Sequence, residues 1–175
     1  MKDSNRTDDV QVFTIPVITD FDNLFADVYP QLFSIALMHL RNYHDAEDAV
    51  QETAMLAYRS FGTLKNQEHF KTWITRILIN CCNKQHNSLK RFFGNVKEDI
   101  PEDKLCLTDE EIMLKDAIAT LDKRSQQIVI LRYFSDYTVQ EISKTLDIPE
   151  GTVKSRLSRS VEKLQKYFAE KEGLK

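Results

Sequence analysis

Between residues 152 and 163 the chain carries Thr152, Lys154, Ser155, Arg156, Ser158, Arg159 and Lys163, the positions left outside once Val153, Leu157, Val161 and Leu164 share one helical stripe. These side chains have a definite chemistry. A guanidinium can bridge guanine O6 and N7, while hydroxyls and ammonium groups hold phosphates or base edges. A second basic face follows Phe70, where Lys71, Thr72, Thr75, Arg76 and Asn80 lie opposite an apolar stripe of Phe70, Trp73, Ile74, Ile77 and Leu78. A third set has the reverse sign. Glu47, Asp48, Gln51 and Glu52 form an acidic outer surface on a segment whose other side is Ala46, Ala49, Val50, Thr53, Ala57 and Tyr58.

Catalytic and metal chemistry find no support. Cys81, Cys82 and Cys106 make no CxxC pair, and His39, His44, His69 and His86 sit at no zinc-ligand spacing with each other or with a cysteine. No carboxylate cluster, HxE with CxxC, or phosphate-cradling glycine loop is present, so neither an enzyme nor a bound cofactor is expected. Three cysteines without a signal peptide fit a reducing cytoplasm. No apolar run approaches the ~20 residues that span a bilayer, so no membrane insertion is expected.

The net charge of −3 conceals a segregation: residues 1–60 carry −6, 61–95 carry +5, 96–122 carry −6 and 123–175 carry +4. Two basic zones separated by an acidic one offer two places for phosphate, because counterion release rewards local positive charge. Only four Gly and four Pro among 175 residues leave little material for tight hairpins, and the expected fold class is all-α.

The elements that must position these groups follow from periodicity. Residues 1–20 hold no period and contain Pro16, which predicts an N-terminal arm. From Phe21 to Leu40 apolar residues recur every three or four positions, predicting a helix that Pro30 kinks or interrupts. Two more helices carry the acidic and basic faces, separated by a polar break from Gly62 to His69. Residues 88–108, with Gly94 and Pro101, hold no period and read as a flexible interdomain linker. Its ~20 residues reach at most ~65–70 Å, about two ~34 Å turns of B-DNA.

Beyond the linker come helices around Ile112–Leu121 and Ile128–Phe134. Thr138-Val-Gln-Glu141 is a capping box, Asp147 marks a tight turn, and Pro149 stands where a first helical position favours proline. A short helix, a tight turn and a second helix with a basic outer face make a helix-turn-helix.

Three stretches carry a resemblance to a family. The residues from Tyr137 to Arg159 (YTVQEISKTLDIPEGTVKSRLSR) are similar to region 4 of the extracytoplasmic-function (ECF) sigma factors, promoter-recognition subunits of bacterial RNA polymerase. Asp45–Thr53 (DAEDAVQET) resembles their region 2.2, and Phe70–Asn80 (FKTWITRILIN) their region 2.4. Two positions depart from the pattern. Asp147 replaces the frequent turn glycine and tolerates a left-handed conformation, and Asp122 replaces a common proline where it can serve as an N-cap.

The resemblance implies two small helical domains on a flexible linker: an arm over 1–20, region 2 over 21–87, the linker over 88–108 and region 4 over 109–170. It implies that Asp45, Asp48, Gln51 and Glu52 meet the clamp helices of the polymerase β′ subunit. Lys65, Asn66, Gln67, His69, Lys71, Arg76 and Asn80 would capture the melted minus-ten strand. Thr152, Lys154, Ser155, Arg156 and Arg159 would contact the minus-thirty-five duplex while another face of region 4 meets the β flap. The phase of Trp73 with Ile77 assigns it to the core rather than to base stacking. Core RNA polymerase, promoter DNA and an anti-sigma factor are the implied partners. A stand-alone helix-turn-helix regulator is the alternative; it leaves the acidic and basic faces of the first half unexplained.

Overall fold

A computed structural model of the protein describes residues 20–93 and 109–172. The arm expected over 1–20, except its last residue, and most of the linker expected over 88–108 lie outside the described residues. Seven α-helices are described: α1 (Asp20–Leu40), α2 (Tyr43–Ser60), α3 (Phe70–Phe93), α4 (Asp109–Ala119), α5 (Lys123–Phe134), α6 (Val139–Leu146) and α7 (Glu150–Glu172). Two single 3-10 turns, Phe61–Thr63 and Gln67–His69, occupy the polar break. The all-α expectation stands. Helix α3 runs to Phe93, six residues into the stretch expected as linker.

Helices α1, α2 and α3 pack on one another as the first half. Small residues make this possible: Ala46, Ala49 and Ala57 on α2 are buried and let neighbouring helices approach closely. Pro30 does not break α1. It is exposed, as is Ala26 four residues earlier, so the carbonyl that loses its helical partner faces water. The helix ends where Arg41 turns left-handed (φ 61°) and donates its N–H to the Leu37 carbonyl at 2.9 Å. Asn42 then caps α2 by accepting from the Asp45 N–H at 3.0 Å.

Tyr58 departs from the expected buried face and is 60% exposed. It lies one step round from the buried Ala57 and leaves only its edge against Phe21, at 5.4 Å between centroids. Trp73 is half-buried against the core, as its phase predicts.

In the second half the caps follow the sequence closely. Asp122 accepts from the N–H groups of Arg124 and Ser125 and from the Ser125 hydroxyl at 2.6 Å, opening α5. Thr138 and Glu141 complete the capping box in both directions, at 3.2 Å and 2.8 Å. Asp147 adopts the left-handed turn (φ 53°), and its N–H and that of Ile148 both reach the Ser143 carbonyl. The final helix begins at Glu150, so Pro149 precedes it by one residue rather than opening it; its carbonyl accepts from Thr152 and Val153.

The two halves also touch each other. α1 packs on α5 and α3 on α6, and one apolar cluster runs from Leu32, Ile74 and Leu78 through Ile128, Leu131, Tyr137 and Ile142. The reason is visible on α3. Thr75, expected on its outer face, is completely buried, and Ile79 is buried too.

Two stability predictions follow from the caps. Thr138→Ala removes one side of the capping box and is expected to lower unfolding free energy by about 1 kcal/mol in urea melts; an unchanged midpoint would contradict the cap's role. The Ser125 hydroxyl, against a small opposing effect of burial and with further help from the Ser125 N–H and Arg156, holds Asp122 below its ordinary value. Burial pushes Glu141 up, but the Thr138 N–H and hydroxyl, with Lys71 and Lys144, more than offset it and leave it depressed. Both groups therefore stabilise the fold above the usual carboxylate range near ~4, and that contribution is lost as pH falls through their folded values. The pair Asp122→Asn with Glu141→Gln should lose less stability than the parent between neutral pH and pH ~3, and equal losses would refute the linkage.

Candidate nucleic-acid interface

Helix α7 presents the upstream candidate set. Buried Val153 fixes its rotation, which leaves Lys154 and Arg159 exposed and Thr152, Ser155 and Arg156 half-buried. Arg156 is already engaged. Its guanidinium donates to Asp122 Oδ1 at 3.1 Å and to Ser125 Oγ at 3.3 Å, tying α7 to the start of α5. Lys163 Nζ donates to the Thr120 carbonyl at 2.5 Å. Together with Arg159 and Ser160 these groups line a shallow depression of about 120 Å³. The cationic heads available at once to a duplex are thus Lys154 and Arg159, while Arg156 must first exchange a carboxylate for a phosphate or base.

The seven residues expected at the minus-ten strand divide into two groups. Lys65, Asn66, Gln67 and His69 are exposed around the second 3-10 turn, which Asn66 caps by accepting from the Glu68 N–H at 2.9 Å. Lys71, Arg76 and Asn80 lie on the side of α3 that faces the second half. Lys71 Nζ sits 4.5 Å from the centroid of the Tyr137 ring. Arg76 donates through Nε to the Thr145 carbonyl at 3.2 Å and through Nη2 to the Lys144 carbonyl. Asn80 borders a groove of about 200 Å³ with Arg76, Asn83, Arg124 and Asp147.

Tyr137 closes this seam. It is fully buried; its hydroxyl lies 2.6 Å from Thr75 Oγ1 and donates a longer bond, 3.4 Å, to the Lys71 carbonyl. Burial, opposed by the Thr75 hydrogen bond and assisted by the charge of Glu141, pushes the phenol up to about 12. It is a neutral hydrogen-bonding group at any physiological pH.

On α2, Asp48 and Gln51 are exposed and Asp45 and Glu52 half-buried. Lys84 Nζ lies 3.3 Å from Glu52 Oε1, and Gln85 Nε2 donates to Asp45 Oδ1 at 3.5 Å. The same surface holds residues that sequence reasoning missed: Met55 and Tyr58 are 57% and 60% exposed, and Leu56 is exposed too. The signal was available, since Met55 and Leu56 stand four residues after Gln51 and Glu52 and so share their strip. Large apolar side chains clustered beside acidic ones mark an interaction surface. No group of His, Cys, Asp and Glu among the described residues could hold a metal ion. Burial pushes the Cys82 thiol up to about 12, with the neighbouring Cys81 adding to it, so this cysteine is chemically quiet.

Comparison with known proteins bears on both halves. Residues 24–92 match the family description "Sigma-70 region 2", and residues 111–164 match "Sigma-70, region 4". The RNA polymerase sigma factor SigV of Bacillus subtilis is 32% identical over 152 residues, covering 81% of this chain and 86% of the relative. The ECF RNA polymerase sigma factor SigM of Mycobacterium tuberculosis is 27% identical over 150 residues, covering 85% and 76%. Among solved structures, the sigma factor RpoE of Bartonella quintana, determined in complex with the anti-sigma factor NepR, superposes with a TM-score of 0.73 at 25% identity, covering 87% of this chain and 98% of that one. With both regions present in order and a relative of this identity along most of its length, the chain belongs to the sigma-70 family of RNA polymerase sigma factors, in its extracytoplasmic-function subfamily.

Proposed function

We propose that this sigma factor docks on core RNA polymerase through the acidic and apolar strip of α2 and brings promoter DNA to two separate surfaces. Asp45, Asp48, Gln51 and Glu52, joined by Met55 and Tyr58, meet the β′ clamp helices. Carboxylates steer and orient the encounter, and the exposed methionine and aromatic supply apolar area. Lys65, Asn66, Gln67 and His69, with Lys71, Arg76 and Asn80, take the melted minus-ten strand. Thr152, Lys154, Ser155, Arg156 and Arg159 contact the minus-thirty-five duplex, and a further face of the second half meets the β flap. The first half corresponds to residues 21–87 and the second to 109–170.

The observation that carries this reading is the coexistence on one chain of the acidic and apolar strip on α2 and the exposed cations Lys154 and Arg159 on a helix-turn-helix. A stand-alone regulator has no use for the former. The protein works without catalysis or cofactor of its own, in the cytoplasm where the polymerase acts; none of the described helices is long and apolar enough to cross a membrane. An anti-sigma factor is the expected antagonist, since the RpoE neighbour was determined with one.

Two measurements test the assignment. Reversing charge at Asp48→Lys and Glu52→Lys should weaken binding to core polymerase at low salt by at least about tenfold in fluorescence anisotropy, a loss of ~1.4 kcal/mol or more. Undiminished affinity would remove α2 from the interface. In polymerase holoenzyme, Arg159→Ala should weaken upstream duplex binding and lower the slope of log K against log salt by about one if it holds a phosphate; an unchanged affinity and slope would exclude it from the contact.

A further inference from the structure

A groove of about 200 Å³ between α3, α5 and the end of α6 is built like a binding site. Its apolar side is Ile79 with Leu146, both buried. The rest of its lining is polar: Asn80 and Asn83 with Arg76 on α3, Arg124 on α5, and Thr145 and Asp147 at the tight turn. Small-molecule sites take this form, with an apolar wall and a few placed polar groups where two packed units meet.

A buried side chain holds two of those polar groups in place. Gln127, 4% exposed, accepts from Arg124 Nη1 at 3.3 Å and donates through Nε2 to Asn83 Oδ1 at 3.1 Å. The Asn83 amide keeps its N–H donors for another acceptor, and Arg124 keeps Nε and Nη2. Such orientation in advance is what a binding site requires. Thr145 gives an independent sign. It is 2% exposed and borders the groove, yet its hydroxyl has no hydrogen-bond partner among the described residues. Buried hydroxyls are almost always paired, so one left open beside a polar groove calls for a ligand atom. The carbonyl end of α6 disfavours an anion nearby, but Arg76 already bonds the Lys144 and Thr145 carbonyls and offsets it.

We propose that this groove binds an adenine mononucleotide. The base lies against Ile79 and Leu146, and the exposed Asn80 amide offers the donor and acceptor that match adenine N7 and N6. The Asn83 donors and the Thr145 hydroxyl are left for ring nitrogens. Asp147 accepts from the ribose hydroxyls, and Arg124 takes the phosphate through its two unused nitrogens. The volume is below the ~300–1,000 Å³ of sites that enclose a drug-sized molecule, which suits one heterocycle with sugar and phosphate at the open mouth. Arg76 and Asn80 are shared with the strand face proposed above; Asn83, Arg124 and Thr145 are not, and the test rests on these.

The full chain is titrated with AMP while the side-chain amide NMR signals of Asn80, Asn83 and Gln127 are followed. They should shift together and saturate at or below ~1 mM. Inorganic phosphate, adenosine and CMP should each bind about tenfold more weakly or worse. Arg124→Ala, at an exposed position, should weaken AMP about tenfold and leave adenosine unchanged, whereas Asn83→Ala should weaken both. Lys166→Ala removes an exposed cation outside the groove and should change neither. No saturation by ~10 mM AMP, phosphate or CMP binding as tightly as AMP, or equal losses in Arg124→Ala and Lys166→Ala would each overturn the site. Capture of a mixed-sequence DNA single strand by the polymerase holoenzyme, with no AMP binding, would end this inference and leave the functional reading intact.

Discussion

The seating of Tyr137 against α3 is the contact on which the arrangement of the molecule depends. One residue joins the halves by three means: a fully buried ring, a hydroxyl shared with Thr75, and a face that receives the Lys71 ammonium. The burial that makes the contact stable also makes it demanding, because a phenol removed from water requires a partner, and Thr75 supplies one from the other half. Its backbone is held as firmly: Tyr137 donates to the Leu131 carbonyl at 3.0 Å, and Arg132 donates to the Tyr137 carbonyl at 3.1 Å. The position of α6, and with it the helix-turn-helix, follows from this residue.

Placing α6 there sets the surroundings of the candidate arginine on α3. The carbonyl end of α6 attracts Arg76, and Asp122 attracts Arg156, so two candidate DNA-binding arginines have intramolecular acceptors at hand. Such acceptors act as competitors that a phosphate must displace, which lowers the affinity of the isolated chain for DNA without removing any binding group.

Much of this was legible in the sequence where local rules govern. The capping box at Thr138 and Glu141, the left-handed Asp147 and the Asp122 cap depend on neighbours within a few residues, and each appears where its residue type demands. The outer face of α7 was readable for the same reason, since the stripe begun by buried Val153 fixes which side chains face out. Other features were not local. Thr75 looks like a surface residue by phase, and only a tyrosine 62 positions away makes it core. Pro30 looked like a break but falls where its lost hydrogen bond faces solvent. Tyr58 reads as part of the buried face of its helix, and its exposure emerges only once the three-helix packing of the first half is known.

The central claim is that Tyr137, seated against α3, holds the two halves together, and the reactivity of Lys71, whose ammonium lies over its ring, reports on it most directly. Pulse labelling of lysines with an amine-reactive reagent, followed by mass spectrometry, compares Lys71 with exposed Lys65 in the same molecule. In the parent chain Lys71 should be protected, and Tyr137→Ala should make it about as reactive as Lys65. Lys71 as reactive as Lys65 in the parent chain, or still protected in Tyr137→Ala, would contradict the account.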